Sequence, residues 1–504
     1  MDSWRTRRSC ALSGDLLCSG SKWTGCVCLL LLFALTLMGP ATPRVLTVYA
    51  QEPGTGWAIP WDITGTNVTD GVHQYCTLLV DGQQNVHLLW VHNMTGSDET
   101  SEGSGAALFY RTDIQGDWSP SVDVVAISGH VMADLSAAIS PVNDTIHVFW
   151  HDQYIGGDLY HARVWLRDAG NPRAWSSPSL VGTNVGGTCA IDAEGVLHTV
   201  LYDAPEAEQQ ASNVYYARSE DDGKTWSDPI PVYQAITPVP ASVSGEIAVD
   251  PAGRIHIGIT IRSLEYSEYS ELGYIRSEDG GKSWTPYEQV AFEGTGWQGV
   301  NRIKVFAFST DEIHRTWHDP RRMHQWSHDG GATWSHPVEI IDLGAAFGGA
   351  NQLVKDSAGR LYAVTATGGG VYVSTWDKDR WRLFAQVEDR FIDPHGQYIA
   401  ASQGNRLHVA YYDRTYLGKV WYSSCQISAP GIPRQPYPTR TLDPTAAPTV
   451  VPDLSTARET PSPADANYHL RAGEAHLADA TRPLIWAVFP VLLLVGGALL
   501  LRRR

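Results

Sequence analysis

Seven times along this chain a short turn leads into a strand of alternating apolar residues with one aromatic near its start. The copies read DGQQNVHLLW (81–90), VNDTIHVFW (142–150), DAEGVLHTVLY (192–202), DPAGRIHIGIT (250–260), STDEIHRTW (309–317), DSAGRLYAVTA (356–366) and SQGNRLHVAYY (402–412). The spacing, about 46–60 residues, is that of a fold made by repeating one supersecondary unit. A single position is held throughout by His87, His147, His198, His256, His314, Tyr362 and His408. A residue that recurs once per unit on a strand serves packing between repeats rather than ligand binding.

Each copy is preceded by another short strand and followed by a third: LFYRT, LYHAR, VYYAR, LGYIR, MHQWS, VYVST or VWYSS. A turn then leads to a strand that begins at or just after Trp118, Trp175, Trp226, Trp284, Trp334 or Trp381. Four antiparallel strands joined by hairpins are a propeller blade. The seventh unit stops after its third strand, near Cys425, and GTGWAIPWDI (54–63) mimics the fourth-strand segment GKTWSDPIPV (223–232). The expected fold is therefore all-β: a β-propeller of four-stranded antiparallel blades over 51–428, closed by an N-terminal strand that removes an exposed edge. Seven blades are favoured; six with a cap-like repeat is the alternative.

The turn before the fourth strand is written three times, as SEDDGKTW (219–226), SEDGGKSW (277–284) and SHDGGATW (327–334). Asp221, Asp279 and Asp329 can accept backbone N–H groups further along an Asx turn, and Gly223, Gly281 and Gly331 supply positive φ. Ser219, Ser277 and Ser327 add hydroxyl bonds, while Trp226, Trp284 and Trp334 pack between strands. This S-x-D-x-G-x-[TS]-W pattern resembles the Asp-box, or BNR, repeat of the sialidase family. The resemblance implies that these boxes lie on hairpins away from the active site and have a structural role only.

The ends of the chain read as addresses. Arg5, Arg7, Arg8 and Lys22 precede the apolar run CVCLLLLFALTLM (26–38), a secretory pattern over 1–50 with an uncleaved anchor as the alternative. Residues 429–482 are rich in Pro, Thr, Ala and Asp, as in a stalk. The apolar stretch 483–501 is long enough to cross a bilayer, and RRR (502–504) would stay cytoplasmic, which puts the propeller outside the cell membrane. Cys76, Cys189 and Cys425 are odd in number and form no disulfide or metal pattern. No cofactor or metal motif is present, and the net charge of −17 excludes the basic surface that nucleic acid requires.

A propeller presents its pocket where the inner strands begin and where the second strand turns into the third. Glu246, Arg302, Gln352 and Tyr398 fall at the first of these places. Asp98, Asp152, Asp203, Arg262, Asp319, Arg321, Arg322, Asp413 and Arg414 fall at the second. The sialidase resemblance implies three arginines on a sugar carboxylate, a Tyr nucleophile beside a Glu, and an Asp acid/base. On that basis Tyr398 resembles the nucleophile, Glu246 its partner and Asp98 the acid, with Arg262, Arg302, Arg321 and Arg322 the substrate-binding candidates. The family places its first arginine in an R-I-P motif on the first inner strand; here that strand reads HQYCTLLVD. Three readings follow: a membrane-anchored propeller that recognises carbohydrate or another extracellular ligand, an exo-acting sialidase-type glycoside hydrolase, or a protein-docking propeller. The wealth of Trp and Tyr (19 and 22 residues) suits sugar stacking and equally suits packing between blades.

Overall fold

The computed structural model describes residues 56–437, except 66–70, 95–104, 115, 129–130, 153–156, 204–210, 237–240, 264–269, 294–300, 320, 342–350, 368, 391–392 and 415–417. The expected leader, most of the expected stalk, the apolar stretch 483–501 and the basic tail lie outside the described residues. Among the described residues no helix is long and apolar enough to cross a membrane.

Period-two patterning broken by frequent turns yields seven antiparallel sheets in a ring, so the blade count is seven. The inner strands are Gly71–Val80, Ala133–Ile139, Val185–Ile191, Ala241–Val249, Asn301–Ala307, Gln352–Lys355 and Pro394–Ser402, in blades 1 to 7. Blade 7 takes its outermost strand from the chain start: Trp61 pairs with Tyr422 and Asp62 with Trp421. The Ala58 and Ile63 amides donate to the carbonyls of Ser424 and Val420 at 3.0 Å each, and Ile63 is fully buried. One blade made from both chain ends leaves the ring without a free edge there.

The recurring histidine braces its own blade. In blade 1 the ring joins Asp81 of the first hairpin (3.1 Å) to Tyr110 of the third strand (2.7 Å). Blade 3 repeats this with Asp192, His198 and Tyr216, at 3.1 and 2.6 Å. In blade 6, Tyr362 stands in the histidine's place and donates to Asp356 at 3.3 Å. The Asp-box turns then join neighbours. The carboxylate of Asp279 accepts from the Ser277 hydroxyl (2.8 Å), the Ser283 amide (2.8 Å) and the Ser283 hydroxyl (2.6 Å). Gly281, at φ 89°, lies directly on the Tyr216 ring of blade 3, where a Cβ would overlap it. Trp284 packs edge-on against the same ring, and Arg276 donates to the Gly330 carbonyl of the next box at 2.8 Å. A side chain at Gly281 would thus meet both backbone strain and a clash.

Burial lowers two of these histidines, His147 and His408, to about 3, and two others on neighbouring strands, His161 to about 3 and His73 to about 4. They are neutral in the fold, whereas an unfolded chain binds their protons near the ordinary value of 6.5. Unfolded molecules therefore take up more protons as pH falls from 6.5 towards the folded values, and stability must decline across that window. The urea midpoint is expected to drop progressively between about pH 7 and about pH 4.5. A flat profile there would show that these rings are not held neutral.

After the last strand, residues 427–437 run across the hairpins of blades 7, 6 and 1. The Ile427 and Ile432 amides donate to the carbonyls of Asn405 and Gln403 at 2.8 Å, and the Ser357 hydroxyl to the Pro430 carbonyl at 2.5 Å. Gln435 donates to the Gln83 carbonyl (3.1 Å), Arg434 pairs with Asp113 (3.2 Å), and the Tyr437 hydroxyl donates to Asp81 (2.8 Å). Residues 429–437, which the sequence places in a stalk, thus form a strap on the propeller. The hairpins it touches share one face with the Asp boxes.

Candidate functional site

The inner strands converge at the opposite face, around a cavity of about 400 Å³. Four of them open with the same irregularity, in which one extra residue on the inner strand breaks the register with the second strand. The breaks lie between Gln74 and Thr77, Ala133 and Ser136, Asn301 and Lys304, and His395 and Tyr398. At the equivalent position of each bulge stand Tyr75, Asp134, Arg302 and Gly396, with φ of 51°, 48°, 49° and 50°. Only glycine takes that conformation without strain, so three blades hold a large or charged side chain where the backbone favours none. Bulges re-aim side chains and gather at functional sites. All four residues line the cavity.

Around them stand Tyr202, Tyr398 and Tyr412, the acids Asp134 and Glu246, and the bases Arg302, Lys304, His395 and Arg414. Lys304 donates to Glu246 at 2.9 Å. Burial alone would lower the Lys304 ammonium, but the Glu246 carboxylate outweighs it and the net shift is upward. Tyr398 is raised, chiefly by burial and with Glu246 adding to it, although Lys304 opposes the change. Its phenol is held protonated, and its neighbour's charge is committed to an ammonium. Burial also pushes the Cys76 and Cys189 thiols up to about 12, so neither is a thiolate nucleophile. Among the described residues no carboxylate pairs with Arg302 or Arg414.

His395 has a different setting. Its Nε2 lies 2.9 Å from Asp393 Oδ1, and a carboxylate can only accept, so Nε2 carries the proton. The neutral ring therefore keeps its lone pair on Nδ1. Burial, with Arg414 and Arg302 nearby, lowers its basicity in spite of Asp393. Tyr412 stacks on it with ring centroids 5.7 Å apart, and Tyr75 lies 5.8 Å from Tyr412.

Of the residues singled out in the sequence, Glu246, Tyr398, Arg302, Gln352 and Arg414 meet in this cavity. Arg262 and Arg321 are exposed on strands outside its lining, and Asp98 lies outside the described residues. Arg322 is buried, donates to the Ala366 carbonyl of blade 6 at 3.2 Å and is lowered to about 10 by that burial. Asp152 and Asp203 accept main-chain N–H groups of Asp158 (2.8 Å) and Asn213 (2.7 Å), and Asp413 that of Asp393 (3.2 Å). Asp134, His395, Lys304, Tyr75 and Tyr412 escaped sequence reasoning. The signal that could have found them is the column Tyr75, Asp134, Arg302, Gly396 in aligned inner strands. Ser219, Asp221, Gly223 and Trp226, with their counterparts in the other two boxes, sit at the far end of the strands from the cavity.

Residues 162–391 match the family model described as the BNR repeat-like domain. No curated protein matches the chain. Among solved structures, a protein of unknown function from Dyadobacter fermentans is 14% identical over 74% of this chain and 100% of its own, with a TM-score of 0.48. The intramolecular trans-sialidase of Ruminococcus gnavus, in complex with oseltamivir carboxylate, is 14% identical over 74% and 97%, with a TM-score of 0.41. The α-L-arabinanase of Penicillium chrysogenum, complexed with arabinobiose, is 10% identical over 74% and 98%, with a TM-score of 0.43. With three Asp boxes, a BNR repeat-like domain matched over 162–391 and seven four-stranded blades, the described residues form a β-propeller that carries BNR-type repeats.

Proposed function

We propose that the axial cavity binds an acidic sugar of an extracellular glycan, and that the propeller is displayed outside a cell on a tether through 483–501. One observation carries the reading: Arg302 and Arg414 reach a tyrosine-walled cavity with no carboxylate partner among the described residues. A guanidinium fork suits a carboxylate or sulfate, and tyrosine faces suit a sugar ring. The cavity falls within the roughly 300–1,000 Å³ usual for small-ligand sites. The test is binding of the full-length chain to an array of neutral and acidic glycans at two salt concentrations. Acidic glycans are expected to bind, more weakly at high salt. Capture of neutral glycans alone, or of none, would sink the proposal.

Hydrolysis by a sialidase-type route is the second reading, favoured by Glu246 and Tyr398 sharing the cavity. That route needs the Glu to take the Tyr proton, and here the Glu is bonded to Lys304. No release of fluorophore from a sialic-acid glycoside is expected. Turnover abolished by Tyr398→Phe would restore the hydrolase.

A further inference from the structure

We propose that the cavity cleaves its acidic glycan by β-elimination at a uronate, with His395 as base, Arg302 and Arg414 as carboxylate clamp and Tyr412 as acid. The proposal rests on the acidic-sugar reading above. Elimination needs three functions in one place: a neutral base, a cation that neutralises the carboxylate and so acidifies the adjacent C–H, and a proton donor for the leaving oxygen. His395 supplies the first through Nδ1, which has no hydrogen bond from a described residue, while Asp393 at 2.9 Å fixes the tautomer. The other histidine of this region cannot serve. His151 Nε2 accepts from the Gly187 amide at 3.0 Å, and its remaining nitrogen faces Asp134 at 4.0 Å.

The step balances without water or any co-reactant. Nδ1 of His395 takes the proton from the carbon next to the carboxylate. The freed electron pair becomes a carbon–carbon double bond to the adjacent ring carbon, and the glycosidic C–O bond on that carbon breaks. The departing oxygen takes the phenolic proton of Tyr412, and the proton on His395 later returns to the phenolate through solvent. Burial raises the Tyr412 phenol, which keeps it protonated as a donor must be. The same groups explain why the Tyr–Glu pair can remain idle: Tyr398 and Glu246 stay with Lys304 and take no part.

The experiment incubates the full-length chain with polygalacturonate, alginate, heparan sulfate, chondroitin sulfate and hyaluronan. It follows the ultraviolet absorbance of the new double bond conjugated to the carboxylate, with binding measured on the same samples. Absorbance is expected to rise for a glycan that binds. His395→Gln should lower the rate by about 10²–10⁴-fold with an unchanged melting temperature. Asp393→Asn removes the carboxylate that supports protonation of His395, while Arg302 and Arg414 continue to oppose it and Tyr412 remains stacked on the ring. Its activity should fall and the acid limb of kcat/KM should move to lower pH, which a merely structural role would not produce. Glycan that binds without gaining absorbance overturns the elimination and leaves the binding site standing. A rate that survives His395→Gln also overturns it. If none of the five binds, the acidic-sugar reading fails for uronates, and the elimination fails with it.

Discussion

A chain beginning at residue 66 is expected to lose on the order of 5 kcal/mol of stability and to self-associate. The missing segment contributes the outer strand of blade 7, the fully buried Ile63 and a backbone acceptor for Arg111, whose Nη1 lies 2.7 Å from the Ile63 carbonyl. Burial of one such side chain contributes about 1.5–3 kcal/mol, and each net hydrogen bond about 0.5–1.5. That loss rivals the 5–15 kcal/mol that roughly bounds the stability of a folded domain. The strand Lys419–Gln426 would also expose an unpaired edge, the usual route to edge-to-edge association. Urea midpoints and size-exclusion profiles of the truncated and intact chains decide the matter. A monomeric truncated protein with an unchanged midpoint would mean that the ring closes by other contacts.

Replacing Arg302 by glycine should move stability and binding in opposite directions. Its φ of 49° places a long charged residue in a conformation that typically costs about 1–3 kcal/mol. Glycine relieves this, although the freer unfolded chain takes back about 0.4–1 kcal/mol, for a net gain of about 1 kcal/mol. Blade 7 already has Gly396 at this place, so the bulge itself tolerates the change. Affinity for an acidic glycan should fall about 10–100-fold, the value of a charged hydrogen bond at 1.5–3 kcal/mol. A less stable protein with unaltered affinity would instead make Arg302 part of the scaffold.

The scaffold could be read from the residues because each of its rules repeats. Turn serines and aspartates, the tryptophans and the strand histidines recur at fixed offsets, and GTGWAIPWDI (54–63) announced its place in blade 7. The cavity could not be read this way, since a bulge adds residues to a strand without any residue type that marks it. Tyr75, Asp134 and Arg302 look like ordinary strand positions until their backbone places them at positive φ. Arg322 shows the converse. Its sequence neighbourhood suggests a ligand clamp, but its position at a blade boundary makes it a brace to Ala366. His395 was hidden by its neighbour Tyr398, which drew attention through family spacing and lies on the same bulge.

The strap over the lower hairpins sets a direction. Residue 437 ends on Asp81 of blade 1, at the face opposite the cavity, so the tether proposed above would hang the propeller mouth-outward. A glycan on the same surface would have to loop back to reach the opening. One on a facing cell, or free in the medium, meets it head-on. The strap would also spread a pull on such a tether over the hairpins of three blades before the load reached the seam in blade 7. A propeller hung this way would work like a cup on a stem, shaped to receive from outside and to take strain at its base.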